Sequence, residues 1–338
     1  MIKVGLIGAG KMGISHLAIL GAHKDVQVNA VAEKSGLVRD VLERYGTFKC
    51  YDDHNELLKN CRPDAVIISV PTRFHAPIVR AVMEKGIHVF VEKPFCLNAS
   101  EGEDLVHLAK IKNIINQVGY HNKFIKTFKE ARRIIQDELL GDIKHFNGEQ
   151  FGPVVTKRKE MTWRSKSEEG GGCLMDYAAH LIDLINYMIG NITSVKSAEL
   201  KSFYSHQVED AVYALVQTSN GIGGTLNVNW SDETYRKMST SITIMGTKGK
   251  MIVDGTELKI YFKETPKDRS YYKGWNIRHI NEFPNGVEYY LRGEEYSEQL
   301  DHFIKAVSGK EKNNINTFES AWKTDQIIEQ IRSFKQYA

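Results

Sequence analysis

Four cysteines are spread over 338 residues, at Cys50, Cys61, Cys96 and Cys173, and none stands in a CxxC or CxxH arrangement. That spacing excludes a disulfide framework and a zinc cluster built from local ligands, and it points to reduced, mostly buried thiols of a cytosolic protein. A surplus of one charge is missing too: 45 Lys and Arg against 42 Asp and Glu leave a formal +3. A dedicated nucleic-acid binder would carry a clustered basic excess. No apolar run approaches the roughly 18 residues of a membrane span, and the sequence holds no repeat, low-complexity tract or disordered linker. The chain opens directly on a strand-like MIKVGLI, without the pattern of a signal peptide, so cytoplasmic residence is expected. What is present is 42% hydrophobic and 26% charged, the composition of a soluble globular protein with room for two domains.

Over the first hundred residues strand and helix signals alternate. IKVGLIG, VQVNAVAEK, DAVIISVPT and IHVFVEKP read as strands; KMGISHLAILGAH, SGLVRDVLERYG and HAPIVRAVMEKG read as helices, with DHNELLKN taken as a polar turn. Regular alternation of this kind implies a parallel sheet covered by helices on both faces. The first turn is Gly8-Ala9-Gly10-Lys11-Met12-Gly13, a complete GxGxxG. Gly8 permits the tight turn, Gly10 lets the backbone approach a pyrophosphate, and Gly13 lets helix and strand pack closely. The following helix N-terminus, at Lys11 and Met12, offers N–H groups to the phosphates. Glu33 stands twenty residues after Gly13, at the end of the second strand, where a carboxylate accepts from both ribose hydroxyls. It would repel a 2′-phosphate, which favours NAD, while Lys34 and Ser35 leave NADP open. No metal site is expected.

GAGKMG, VPTRFH at 70–75, VEKPF at 91–95 and the run GGGCLMDYAAHLIDL beginning after Glu169 occur in an order and spacing that resembles the glucose–fructose oxidoreductase/inositol dehydrogenase/MocA family over essentially the whole chain. The resemblance implies an α/β protein: an N-terminal Rossmann domain over residues 1–120, then a C-terminal α/β domain over 121–338 with an open, mostly antiparallel sheet, whose final helices return to the first domain. It also implies a homodimer or homotetramer formed through the outer face of that sheet. Pro71, Thr72, His75, Glu92 and Lys93 would join the cofactor site, and Tyr120, Asn122, Trp163 and Arg164 the substrate site. Here His121-Asn122-Lys123 replaces an Arg-rich stretch usual in the family, which puts the substrate contacts of that segment in doubt.

The residues carry a reading of their own. Lys93 lies at the C-terminal end of a parallel strand, where open α/β sheets place their ligands, and offers a compact cation with three donors. Asp176 and His180 are four apart on a helix-compatible segment and share a face, with Asp183 three further on; a carboxylate one turn away orients an imidazole and favours its protonated form. Asp183 divides between orienting the site and a structural hydrogen bond. After Gly119 an amphipathic helix is followed by strand-like segments, three of them joined by hairpin turns at Ser219-Asn220-Gly221, Gly246-Thr247-Lys248-Gly249 and Asp254-Gly255. The loop before the triple glycine holds Lys157, Arg158, Lys159, Arg164 and Lys166 around Trp163. It reads either as a solvated face or as a receptor for an anionic sugar derivative. Trp230 reads as core, with sugar stacking as the alternative.

Together these features predict an NAD(P)-dependent oxidoreductase acting on a secondary hydroxyl or ketone of a sugar, a phosphorylated or nucleotide-linked sugar, or a cyclitol such as inositol. His180 would be the general base, Lys93 would stabilise the developing alkoxide, and Asp176 would orient His180 or bind an adjacent hydroxyl. The rival readings are a glycosidase that oxidises its sugar transiently with NAD, and a non-enzymatic NAD sensor.

Overall fold

A computed structural model of the chain describes residues 1–158, 162–284, 286–288 and 290–334. The N-terminal alternation is realised as β1 (Ile2–Ile7), α1 (Lys11–Ala22), β2 (Val26–Ala32), α2 (Gly36–Tyr45), β3 (Lys49–Tyr51) and α3 (His54–Asn60). It continues through β4 (Ala65–Ile68), α4 (His75–Glu84), β5 (His88–Val91), α5 (Ala99–Ile111) and β6 (Asn116–Val118). All pairings in the six-stranded sheet are parallel, in the order β3-β2-β1-β4-β5-β6. Burial on both faces explains why these strands are continuous apolar runs: all four residues of β4 are buried, as are the last four of β1. The order reverses between β1 and β4, the position at which doubly wound sheets open a crevice at their carboxyl ends. The segment DHNELLKN departs from the expected turn. It contains α3, started by Asp53, whose carboxylate accepts the Asn55 N–H at 2.7 Å.

The chain divides into two compact units, residues 1–121 with 286–325, and residues 122–285 with 326–338. The second contains α6 (Lys126–Gln136), β7 (Ile143–Phe151) and a π-helical turn, Leu174–Ala178, that runs into α7 (Ala179–Met188). Its later strands are β8 (Ile192–Lys201), β9 (Ala211–Thr218), β10 (Gly223–Asn229), β11 (Ser239–Gly246), β12 (Gly249–Asp254), β13 (Glu257–Phe262) and β14 (Gly274–His279). They form a sheet in the order β14-β13-β12-β11-β7-β10-β9-β8, antiparallel throughout except for the parallel join of β10 to β7. The predicted hairpin turns join β9 to β10, β11 to β12 and β12 to β13.

Strict alternation sets this sheet's two faces. Gly148 of β7 lies under Leu181 and Ile185 of α7, so close that a Cβ there would touch both. The opposite face leaves Tyr213, Leu215, Tyr261, Trp275 and Ile277 exposed. Back in the first unit, α8 (Glu294–Val307) contributes Leu300, Phe303 and Ile304 to a core that also holds Val4, Leu6, Ile67 and Phe90.

Candidate dinucleotide and active-site residues

In the first unit the glycine turn has the geometry its sequence suggests. A Cβ on Gly13 would run into the Gly8 carbonyl, so only glycine lets α1 pack so close to the end of β1. At Gly10 the same test meets nothing within 4 Å; the backbone there faces open space. Gly10 caps α1 without any side-chain bond, and the helix's first turn holds no acidic residue. The N–H groups at the helix start are therefore not taken by a side-chain cap, the arrangement an anionic phosphate uses. Glu33, at the end of β2, accepts the Ala9 N–H at 2.7 Å and the Ser35 N–H at 2.8 Å. It thus ties the glycine turn to the end of β2 while each oxygen keeps a further lone pair. Gly8, Gly10, Glu33 and Pro71 line one cleft of about 490 Å³, with Val70, Phe74, Pro77 and Ile78 as an apolar wall. Asp52 and Asp53 add two more carboxylates against the single cation Lys34, a balance unfavourable to a 2′-phosphate.

The remaining first-unit residues lie deeper. Thr72 and Tyr120 are buried. His75 is buried as well, with Nδ1 facing the carbonyls of Pro94 at 2.9 Å and Phe95 at 3.2 Å, and Nε2 facing that of Val70 at 3.0 Å. Both of its ring nitrogens are therefore engaged by protein carbonyls rather than turned to the cleft. Glu92 is held by His16, Nε2 to Oε1 at 2.7 Å. Burial alone would raise this carboxyl; the bond and charge of His16, with Lys93 and His121 nearby, bring it below its ordinary range. His121 stacks on Tyr296 with centroids 4.6 Å apart, and burial lowers its pKa to about 4, against the pull of Glu92. A histidine that is neutral when folded and titrates near 6.5 when unfolded contributes stability above pH 6.5 that is lost as pH falls toward 4. Thermal melts of the wild type should therefore lose midpoint temperature between pH 6.5 and 5. His121→Phe, which keeps the stacking, should flatten that slope, and an unchanged slope would remove His121 as its cause.

In the second unit, Asp176 sits in the π-helical turn and His180 one turn later in α7, both buried. The sequence predicts one uninterrupted helix here; the wider turn is the difference, and such turns recur at functional sites. Ahead of it the glycines are sterically required. Gly172 has φ of 103°, and a Cβ on it would strike the carboxylate of Glu209, which accepts the Leu174 N–H at 2.9 Å. Arg164 donates from Nε to Asp176 Oδ2 at 2.9 Å, with its guanidinium 4.5 Å over the Trp163 ring. Lys166 pairs with Glu169 at 3.4 Å. Two cations of the basic loop thus serve carboxylates of the protein itself; Lys157 and Arg158 are exposed, and Lys159 lies outside the described residues. Asn122 is buried. Trp230 is fully buried and donates Nε1–H to Asp210 at 2.7 Å, which makes it core.

Asp183 carries an interaction absent from the sequence reading. Its carboxylate meets Lys123 Nζ at 2.7 Å, both side chains almost wholly buried. Burial pulls Lys123 down and pushes Asp183 up to about 6, each opposed by the other's charge. Sixty residues separate the two, so no local pattern announces the pair. The His16–Glu92 pair is equally remote in sequence, although His16 follows Gly13 by three residues on α1.

Residues 2–120 match the model of an oxidoreductase family with an NAD-binding Rossmann fold, and residues 128–252 match that of the GFO/IDH/MocA C-terminal domain. The chain belongs to the GFO/IDH/MocA oxidoreductase family. Among its relatives is myo-inositol 2-dehydrogenase of Thermotoga maritima, 24% identical over 92% of this chain and 89% of that protein. Among solved structures, levoglucosan dehydrogenase in complex with NADH matches with a TM-score of 0.87 and 21% identity over 99% of this chain and 97% of that one. The WlbA dehydrogenase of Bordetella pertussis, in complex with NADH and UDP-GlcNAcA, matches with a TM-score of 0.81 and 20% identity over the same shares. For this family member, the open backbone at Gly10, the α1 terminus without a side-chain cap and the carboxylate at Glu33 fit an NAD molecule. Among the described residues no group of His, Cys, Asp and Glu is arranged to hold a metal ion, and no helix is long and apolar enough to cross a membrane.

Proposed function

We propose that this chain is an NAD-dependent oxidoreductase of a secondary hydroxyl or ketone on a sugar, sugar derivative or cyclitol. The observation that carries the reading is the joint presence of Lys93 at the end of β5 and of Asp176 and His180 one turn apart, in a chain whose first domain matches an NAD-binding family. When bound, the nicotinamide supplies hydride transfer. His180 takes the hydroxyl proton in oxidation and returns it in reduction, a task suited to imidazole. Lys93 donates a hydrogen bond to the reacting oxygen and stabilises its developing charge. Asp176, fixed by Arg164, orients the imidazole or an adjacent hydroxyl. We place the functional domains at residues 1–120 and 121–338, and the protein in the cytoplasm, in keeping with its four unpaired cysteines. The exposed apolar face of β9, β13 and β14 supports a homodimer or homotetramer.

The test is NADH formation across inositols, aldoses, sugar phosphates and nucleotide sugars, with NAD⁺ and NADP⁺ in parallel. We expect turnover with at least one of these classes and a preference for NAD⁺ of about tenfold or more, the scale of one lost or repelled charge contact. Release of a sugar without net NADH would replace this reading with the glycosidase one. Binding of NADH with no turnover on any class would leave a sensor.

A further inference from the structure

Lys93 is set in a segment gripped on both sides. From Val91 to Cys96 every residue is buried except Lys93, which is partly exposed. Its predecessor Glu92 is bonded to His16 of α1, a fully buried ring that also packs edge-on against Phe90 with centroids 5.4 Å apart. The other oxygen of Glu92 accepts the Lys93 backbone N–H at 3.2 Å, and the chain at Gly119 closes so tightly that a Cβ there would lie 3.0 Å from that oxygen. On the far side, the successor Pro94 offers its carbonyl to His75 at 2.9 Å, while the opposite edge of that ring meets the Val70 carbonyl.

We propose that His16 and His75 are positioning residues for Lys93, which fix the backbone on either side of it and tie it to both walls of the dinucleotide cleft. This rests on the assignment of Lys93 to the reaction. The walls are distinct. His16 rises from the helix that begins at the glycine turn, and His75 spans from the Val70–Phe74 wall to the segment after Lys93. A lysine stem has four rotatable bonds, so the reach of its amine is set by where its backbone is anchored. Misplacement by about 1 Å at a reacting centre costs on the order of a hundredfold in rate. Apolar residues would fill the two buried positions equally well, but none could bond the flanks of Lys93. His75 adds directionality, because carbonyl oxygens only accept and a neutral, buried imidazole carries one N–H: the Nδ1–H tautomer donates to Pro94, the segment after Lys93, while Nε2 only packs against the Val70 carbonyl.

The experiment reads Lys93 directly, without need of a substrate. In the purified full-length protein, the rate of reductive methylation of Lys93 by formaldehyde is followed by peptide mass spectrometry from pH 7 to 10, with Lys11 and Lys34 as internal controls and NADH affinity from fluorescence. Loss of either clamp, in His16→Leu or His75→Leu, should change the Lys93 rate or its pH midpoint by about threefold or half a pH unit, while the Lys11 and Lys34 rates hold within about twofold. The amide nitrogen of asparagine overlays Nδ1 and that of glutamine overlays Nε2. His75→Asn keeps the Pro94 bond and should label like the wild type; His75→Gln keeps only the Val70 bond and should label like His75→Leu. These polar variants carry the test where the leucine forms do not fold. An unchanged Lys93 profile, or asparagine and glutamine behaving alike, overturns the positioning role. Failure of Lys93→Ala to lower turnover would instead overturn the catalytic assignment and leave the labelling result standing.

Discussion

Lys93→Ala should lower turnover about a thousandfold and leave the NADH Kd within about threefold, since donors aimed at a developing oxyanion are worth roughly 10²–10³ in kcat. The amine belongs to a strand end and not to the glycine turn or the Glu33 carboxylate, so the other groups proposed to hold the dinucleotide are untouched. His180→Ala should fall by a similar factor, within the range of roughly 10²–10⁴ for a lost general base. The double variant should fall little further if, as proposed, the two groups serve the same oxygen and proton. Lys93→Arg should not restore the rate, as a planar fork replaces a compact ammonium. The measurement is initial rate at saturating NAD⁺ with whichever substrate the panel identifies. Near-normal turnover in Lys93→Ala would sink the assignment.

A second large effect is expected in stability. Breaking the buried pair by Lys123→Met should cost about 3–5 kcal/mol, because Asp183 is left buried without its counter-charge. Arg132, over the Tyr187 ring at 4.0 Å, is the other cation near the pair. The double variant Lys123→Met/Asp183→Leu should recover most of that loss, since well-packed apolar replacements of buried pairs are often close to neutral. The pH dependence has a definite sign. Asp183 has a folded pKa raised to about 6 against an ordinary 3.8, and removal of Lys123 raises it further. A carboxyl raised in the folded state favours folding as pH falls, so the deficit of Lys123→Met should shrink from pH 7 to 5. Urea titrations at the two pH values measure it. A deficit that stays constant would mean that Asp183 does not take up the proton.

The sequence and the structure agree where local pattern decides. Parallel strands buried on both faces must be apolar runs, so β1, β4 and β5 announced themselves, and the glycines of the first turn are dictated by close approach. Agreement ends where pairing is remote or composition is polar. α3 is a seven-residue helix made mostly of His, Asn, Glu and Lys, held by the Asp53 cap, and no periodicity marks it. β14, GWNIRH, is an edge strand that exposes Trp275 and Ile277 and buries Asn276, so its pattern inverts the usual one. Among the candidate site residues, the sequence places Asp176 and His180 one turn apart by their spacing, and Lys93 at a strand end within a family motif. The partners that hold their surroundings, His16, Lys123 and Arg164, become visible only once the chain is folded.

The core around the first sheet has a consequence for how the chain is made. Leu300, Phe303 and Ile304 pack with Val4, Leu6 and Phe90, so β1 and β5 wait for α8, far downstream of them. In the second unit β7 lies between β10 and β11, both far downstream of it. Closure of such long loops comes before the contacts that reward it, which slows folding and exposes strand edges meanwhile. Synthesis runs from N to C: the first sheet can add its strands in that order but lacks part of its core until α8, and in the second sheet β7 must wait for β10 and β11.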